Sequence, residues 1–299
     1  MGFETLKSIV AAGRNVVDIS FFNHDPLELD ALAREKNVIA ITDCGVAPGM
    51  SNLVAGFHNA NMQVENFDCM VGGLPLQRDW PYEYKAPFSP IDVIEEYVRP
   101  ARLRQDGKIL VRPALSDPEL IDIEPVGQLE AFNTDGLRTL LDTTEIPNMR
   151  ERTLRYPGHI ELMRVFRESG FFDDSEIEVK GTRIRPRDVT AALLFPLWQA
   201  GPGETAFTVM AIEVSGIENG RPVCHKYHLY DEDDAATGLS SMARTTGFTA
   251  TAAARLVLDG SYTKPGISPP EKVGACGDCL QKILGLLAER GVQYSHQTL

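Results

Sequence analysis

The apolar positions of the chain come in short runs, and the runs place its elements. Val38-Ile39-Ala40-Ile41 is continuously apolar and largely β-branched, the pattern of a strand covered on both faces, as in a parallel sheet. Residues 52–60 then read as a helix with Ser51 or Asn52 placed to cap it. Upstream, residues 5–12 give a short helical pattern closed by Gly13, and residues 15–20 give a strand. Asp25 and Pro26 open a second helix whose Leu27, Leu29, Leu32 and Ala33 hold one face. The order α-β-α-β-α is a piece of a doubly wound fold.

From about residue 65 the texture changes. Residues 64–71, 109–113, 121–126 and 129–133 read as strands separated by turn signals, the pattern of an antiparallel sheet. Gly72-Gly73-Leu74-Pro75 reads as a turn or bend, and Ser89-Pro90-Ile91-Asp92 as a helix start with a hydroxyl cap. A helix turn is expected over 136–141. Residues 152–156 predict a strand, and Pro157-Gly158-His159 opens a helix over 160–168. The longest β-rich runs, 206–215 and 222–230, flank Glu218-Asn219-Gly220, a hairpin signal. An acidic surface turn at 231–234, helices over 249–258 and 280–290, and a polar tail complete the chain. The predicted class is α/β: a partial Rossmann-like doubly wound domain over 1–62 and an α+β domain with a mainly antiparallel sheet over 63–238. A C-terminal segment, 239–299, returns to the first domain.

Composition narrows the partners. Of 299 residues, 43% are hydrophobic and 24% charged, the balance of a soluble globular protein. A formal net charge of -13 argues against nucleic acid or an anionic membrane surface as the main partner and leaves small molecules. No apolar run approaches the ~20 residues of a membrane span, and the N-terminus lacks the basic and apolar regions of a signal peptide. Five scattered cysteines favour a reducing compartment, so a cytoplasmic protein is expected.

Candidate chemistry centres on Thr42-Asp43-Cys44-Gly45-Val46-Ala47-Pro48-Gly49-Met50-Ser51-Asn52. Two glycines and a proline shape a tight loop at the carboxyl end of a strand, where open α/β sheets bind ligands, and the following helix start favours an anionic group. A plain turn is the alternative. Asp43 and Cys44 end one parallel strand, and Ser20 and Phe21 end its neighbour. The Gly-x-Gly-x-x-Gly of a dinucleotide site is missing: Gly201-Pro202-Gly203 lacks the third glycine, and Gly274-Ala275-Cys276-Gly277 has the wrong spacing. The chain is therefore expected to lack two or three βα units, roughly 30 residues each, at its start.

Arg155 and His159 sit four residues apart at a strand end and a helix start. Arginine can grip a carboxylate bidentately, and a helix N-terminus keeps imidazole neutral, ready to act as a base. An ordinary ion pair is the bland alternative. Asp135, between Thr134 and Gly136, is catalytic or caps the next helix. Tyr84 and Lys85, in an aromatic loop over 80–85, meet substrate or stay solvated; Thr245 and Thr246 bind cofactor or substrate, or begin a helix. No metal site is expected. Cys276 and Cys279 form a lone pair, and His225 and His228 face opposite sides of one strand.

Four motifs in order carry a resemblance: the loop from Thr42 to Gly49, Phe132-Asn133-Thr134-Asp135-Gly136-Leu137-Arg138, Thr153-Leu154-Arg155-Tyr156-Pro157-Gly158-His159, and Arg244-Thr245-Thr246-Gly247. Together they resemble the saccharopine dehydrogenase family, in the branch holding glutamate-forming saccharopine reductase and lysine 6-dehydrogenase. The resemblance implies a Rossmann-like domain binding NAD or NADP, with an inserted domain serving substrate binding and dimerisation. It implies hydride transfer at a C–N bond of an amino-acid substrate through an imine, in a homodimer. Ser20, Phe21, Asp43, Cys44, Gly45, Val46, Ala47, Gly49, Asn52, Thr245 and Thr246 would then line the cofactor side. Arg155, Lys85, Tyr84 and Thr134 would meet substrate, and His159 and Asp135 would be catalytic. A non-catalytic amino-acid-binding or subunit-assembly module is the competing expectation.

Overall fold

The structure, a computed structural model, describes residues 2–201 and 203–299; Pro202 of the Gly201-Pro202-Gly203 segment lies outside them. Its first third runs α1 (Gly2–Ala11), β1 (Val16–Val17), a 3-10 turn (Pro26–Leu29), α2 (Asp30–Glu35), β2 (Ile39–Ile41), α3 (Met50–Asn61) and β3 (Gln63–Pro75). Next come α4 (Pro90–Val98), β4 (Ala101–Gln105), β5 (Lys108–Arg112), β6 (Glu119–Ile123), β7 (Gly127–Thr134), α5 (Leu140–Thr143) and β8 (Asn148–Arg155). Then follow α6 (His159–Glu168), β9 (Ile177–Val179), β10 (Thr182–Ile184), α7 (Pro186–Trp198), β11 (Ala206–Glu218) and β12 (Arg221–Glu232). The chain closes with α8 (Ser241–Leu258), β13 (Gly266–Ser268), α9 (Pro270–Gly274), α10 (Cys279–Ala288) and β14 (Tyr294–Thr298).

Strands β1, β2 and β13 pair in parallel in that order. Because side chains alternate along a strand, Ile39 and Ile41 of β2 enter one core while Ala40 and Ile267 enter another with α1 and α2. The large sheet runs β14-β12-β11-β3-β8-β4-β5, with β7 beside β8 and β6 beside β7. Its pairs are antiparallel except β3 with β8. Phe67, Cys69, Ile212 and Val214 on one face pack with α3, α8 and α10, and those helices also cover Ile39 and Ile41. On the other face, Met70, Leu74, Phe207 and Val209 pack with α4, α6 and α7. The layers are helix, small parallel sheet, helix, large sheet, helix.

Local signals explain several joints. The Asp25 carboxylate accepts from the Leu27 N–H at 2.9 Å with Pro26 next. Asn219 and Gly220 take positive φ of 50° and 76° in the two-residue hairpin joining β11 and β12, the left-handed backbone such a turn demands.

Other expectations give way. The turn expected at Gly72-Gly73 is absent, and β3 runs straight through it. Those glycines serve close approach instead: a Cβ on Gly72 would stand 2.8 Å from the Leu154 carbonyl, and one on Gly73 2.8 Å from the Met242 methyl. Asn52 caps α3 from inside its first turn, accepting from the Gly49 N–H at 3.3 Å, whereas Ser51 lies within the helix and Ser89 makes no side-chain cap bond. The first strand shrinks to two residues. Asp231 belongs to β12 and is buried against Arg244, at 3.1 Å, not in a surface turn. Helix α8 starts eight residues before the expected 249, since Ser240 caps it from its hydroxyl. The polar tail is strand β14, paired with β12. Among the described residues no helix is long and apolar enough to cross a membrane.

Candidate functional site

The loop after β2 prolongs the parallel pairing beyond the strands: the Asp18 N–H donates to Ile41 O at 2.8 Å, and the Cys44 N–H to Asp18 O at 3.0 Å. The Ala47–Pro48 peptide is cis, and the Gly45 N–H donates to Pro48 O at 3.0 Å. Gly49 takes a φ of 139°, and a Cβ there would sit 1.9 Å from Gly45 O, so only glycine closes this loop. The Asn52 side chain accepts from the Gly49 N–H and donates to the buried Glu271 at 3.2 Å. Val46 and Ala47 pack into the core around α3.

Asp43 is buried and paired with Arg138, whose Nε and Nη2 lie 3.2 and 3.3 Å from its oxygens. Burial raises the Asp43 pKa, and the guanidinium partly opposes that rise. Burial also pushes the neighbouring Cys44 thiol up to about 12. The Arg138 guanidinium stacks 4.2 Å from the centre of the exposed Phe21 ring, and Arg99 stacks 4.8 Å from the same ring. Ser20, beyond the end of β1, donates its N–H to Asp18 at 2.8 Å. Thr246 faces the loop, its methyl 3.4 Å from where a Gly45 Cβ would stand. Thr245 does not: it is fully buried, and its hydroxyl donates to Ser241 O inside α8.

A second group gathers where β8 runs into α6. Gly158, at φ 94°, lets the chain turn into the helix. Arg155 reaches back to donate from Nε to Tyr97 Oη at 3.2 Å and from Nη2 to Glu96 at 2.9 Å, with its guanidinium 4.5 Å from the Tyr84 ring centre. His159 Nδ1 is 2.9 Å from the Tyr82 carbonyl, and Nε2 is 2.9 Å from Tyr97 Oη. A carbonyl only accepts, so Nδ1 bears the proton and Nε2 accepts from the tyrosine. Burial, then the charge of Arg155, lowers the His159 pKa from 6.5 to about 3. The imidazole is neutral as expected, but burial rather than the helix end is the leading cause.

Arg155 and Lys85 are not waiting cations. Arg155 already has Glu96, and Lys85 binds the carbonyls of Leu197 and Gln199 and the carboxylate of Glu204, all within 3.3 Å. Asp135 neither caps a helix nor stands free, since its carboxylate takes the Arg102 N–H and guanidinium at 2.9–3.1 Å. The Thr134 hydroxyl pairs with that of Thr153 at 3.1 Å.

Sequence reasoning missed Glu96, Tyr97 and Glu151. Glu151 is buried; its Oε2 has no hydrogen-bond partner, and a Cβ on Gly136 would collide with Oε1 at 1.5 Å. Burial first, then Asp135 and Glu96, raises its pKa from 4.5 to about 8, leaving a protonated carboxyl at neutral pH. Within Arg150-Glu151-Arg152, its charge alternates as on a solvated strand, so only the missing counter-charge distinguishes it.

A parallel sheet with a glycine-shaped loop at its carboxyl end, joined to a large, mainly antiparallel sheet bearing buried Arg and His, defines an α/β protein built on two main sheets. Residues 45–292 match the saccharopine dehydrogenase C-terminal domain family, and the chain belongs to that family. Over 187 residues it is 27% identical to the saccharopine dehydrogenase [NADP(+), L-glutamate-forming] of Pyricularia oryzae, a stretch covering 57% of this chain and 41% of that protein. Over 184 residues it is 23% identical to the mitochondrial alpha-aminoadipic semialdehyde synthase of Bos taurus, covering 56% and 20%. The matched stretch is thus less than half the length of either relative. Among solved structures, apo saccharopine dehydrogenase (L-Glu forming) from Saccharomyces cerevisiae matches with a TM-score of 0.77 at 21% identity, covering 98% of this chain and 81% of that one. Homospermidine synthase from Legionella pneumophila, solved with NAD, matches with a TM-score of 0.61 at 10% identity, covering 99% and 80%. At these identities the two structures speak for the fold.

Proposed function

We propose that the chain serves an NAD(P)-dependent oxidoreductase acting at a C–N bond of an amino acid of lysine or saccharopine type, in the cytoplasm and as a homodimer. The observation that supports this most is the family match, because it spans the Gly45–Gly49 loop, Arg138, Glu151, Arg155 and His159 together. The name of the Pyricularia oryzae relative supplies NADP as the cofactor to test first.

The residues present fit the nicotinamide end of such a cofactor. The loop lies at the carboxyl ends of the parallel strands, where α/β sheets bind ligands, with the exposed Phe21 and the Asp43–Arg138 pair at its edge. The glycine-rich segment for a pyrophosphate has no counterpart in the sequence. When bound, the cofactor supplies the hydride chemistry. In this reading the chain's own groups bind and manage protons. The neutral carboxyl of Glu151 donates a proton, His159 Nε2 and the Tyr97 hydroxyl exchange one, and Arg155 takes a substrate carboxylate in place of Glu96.

The test is a titration with NADPH and NADH followed by Trp80 and Trp198 fluorescence, then turnover with lysine and with saccharopine. Saturable micromolar binding with turnover supports the reading. Absence of binding would favour the second reading, a non-catalytic amino-acid-binding or assembly module. The partners already held by Arg155 and Lys85 speak for that module.

A further inference from the structure

The edge of the large sheet farthest from Arg155 holds chemistry that the redox reading leaves unused. His225 on β12 pairs in register with Thr298, and Tyr227 on β12 with His296 of β14. His58 comes to the same place from α3, its ring stacked on His225 with centres 4.2 Å apart. One ring nitrogen from each of the three histidines lies within 4.8 Å of the other two, the one such trio of potential metal ligands among the described residues.

Several details go beyond chance packing. His225 Nδ1 and His296 Nε2 are 3.1 Å apart, close to the spacing of about 3.3 Å between nitrogens that share a tetrahedral zinc ion. His225 is nine-tenths buried, yet its Nε2 has no hydrogen-bond partner. The nearest charge to that atom is the Glu218 carboxylate, 3.8 Å away at the end of β11. Outer groups orient the rings: Tyr227 Oη is 2.9 Å from His58 Nε2, and the Glu218 carboxylate stands by His225 Nε2, the nitrogen turned away from His296. A carboxylate at the nitrogen that does not face the ion is a usual partner of a ligand histidine.

We propose that His58, His225 and His296 bind a borderline divalent cation, Zn2+ above all, with water in the fourth position. Three imidazoles suit zinc better than the hard cations, which take oxygen ligands. The ion ties β14 and β12 to α3, the helix that begins at the Gly45–Gly49 loop. The histidines were hard to see as a set because they stand at positions 58, 225 and 296, on three elements that only the fold brings together.

The test uses the tag-free chain, stripped with chelator and titrated with Co2+ as a coloured stand-in and then with Zn2+. One Co2+ per chain with the intense visible bands of tetrahedral coordination, displaced by one Zn2+, is the expected result. His296→Ala, on an exposed edge strand, should weaken Co2+ binding at least about tenfold, with His296→Gln doing the same if the alanine variant is unstable. His228→Ala, outside the trio, should leave binding unchanged. Zn2+ should raise the melting temperature of the parent chain and not of the His296 variants. Absence of bands and of a Zn2+-dependent shift in the parent would overturn the proposal. So would parent-like Co2+ affinity in the His296 variants, or equal losses in the His228 and His296 variants.

Discussion

Arg155 and Glu96 form an ion pair of 2.9 Å with unequal ends: the arginine side chain is 3% exposed and the glutamate 28%. The guanidinium depends on this partner, because a buried charge without a counter-charge is strongly destabilising. Glu96→Gln should lower the unfolding free energy by about 3 kcal/mol, the low end of the usual range because Glu96 is partly solvated. Urea denaturation measures this. A loss below about 1 kcal/mol, as for a surface pair, would show that Arg155 is otherwise satisfied.

Glu151 gives a pH dependence with a definite sign. Its pKa is raised from 4.5 to about 8 in the folded chain, so between those values the folded state holds a proton that the unfolded state has lost. Stability therefore falls as pH rises through this window, by up to about 1.4 kcal/mol per pH unit from this group. Glu151→Gln keeps the shape and cannot ionise. Melting curves from pH 5 to 9 should show the decline in the parent chain and a flatter profile in the variant.

His159 works in the opposite direction. Its folded pKa lies at about 3 against an ordinary 6.5, so the stability from a neutral ring is full above about 6.5 and drains as pH falls toward 3. His159→Ala should flatten this acid limb. In an assay that supports turnover, it should depress turnover on the order of 100-fold, the range for a lost proton-transfer group, with NADPH affinity nearly unchanged. Equal turnover with and without the imidazole would remove His159 from the chemistry.

Thiol chemistry offers a check on packing. Cys44, Cys69 and Cys279 are buried, while Cys224 and Cys276 are partly exposed. Burial raises the pKa of Cys44 to about 12 and that of Cys279 to about 11, and thiols in that state react slowly. Ellman titration of the native chain should count two fast thiols, rising to the five cysteines of the sequence in denaturant. Rapid native modification of Cys44 would mean that the loop after β2 opens readily.

Elements with a short-range cause were legible in the sequence. The β-branched run of β2, the Asp25-Pro26 start and the Asn219-Gly220 hairpin each carry their signal within a few residues. What escaped depends on distant partners. Gly72 and Gly73 carry a turn's composition, yet serve the approach of Leu154, Met242 and Pro87. The polar β14 needed β12 to become a strand. The same limit shaped the candidate site. Arg155 and His159 were visible from their four-residue spacing, but Glu96, Tyr97 and Glu151 acquire meaning only through what surrounds them.

Helices α3, α8 and α10 bury apolar side chains against both sheets at once, with Leu53, Val54, Ala252, Leu256, Ile283 and Leu287 in the same core as Ile41 and Ile212. Neither sheet therefore owns a private interior on that side. Melting the parallel sheet would strip the cover from the large one, so heat should be absorbed in a single calorimetric peak. The boundary after α3 is a change of architecture along the chain without being a seam in its energetics.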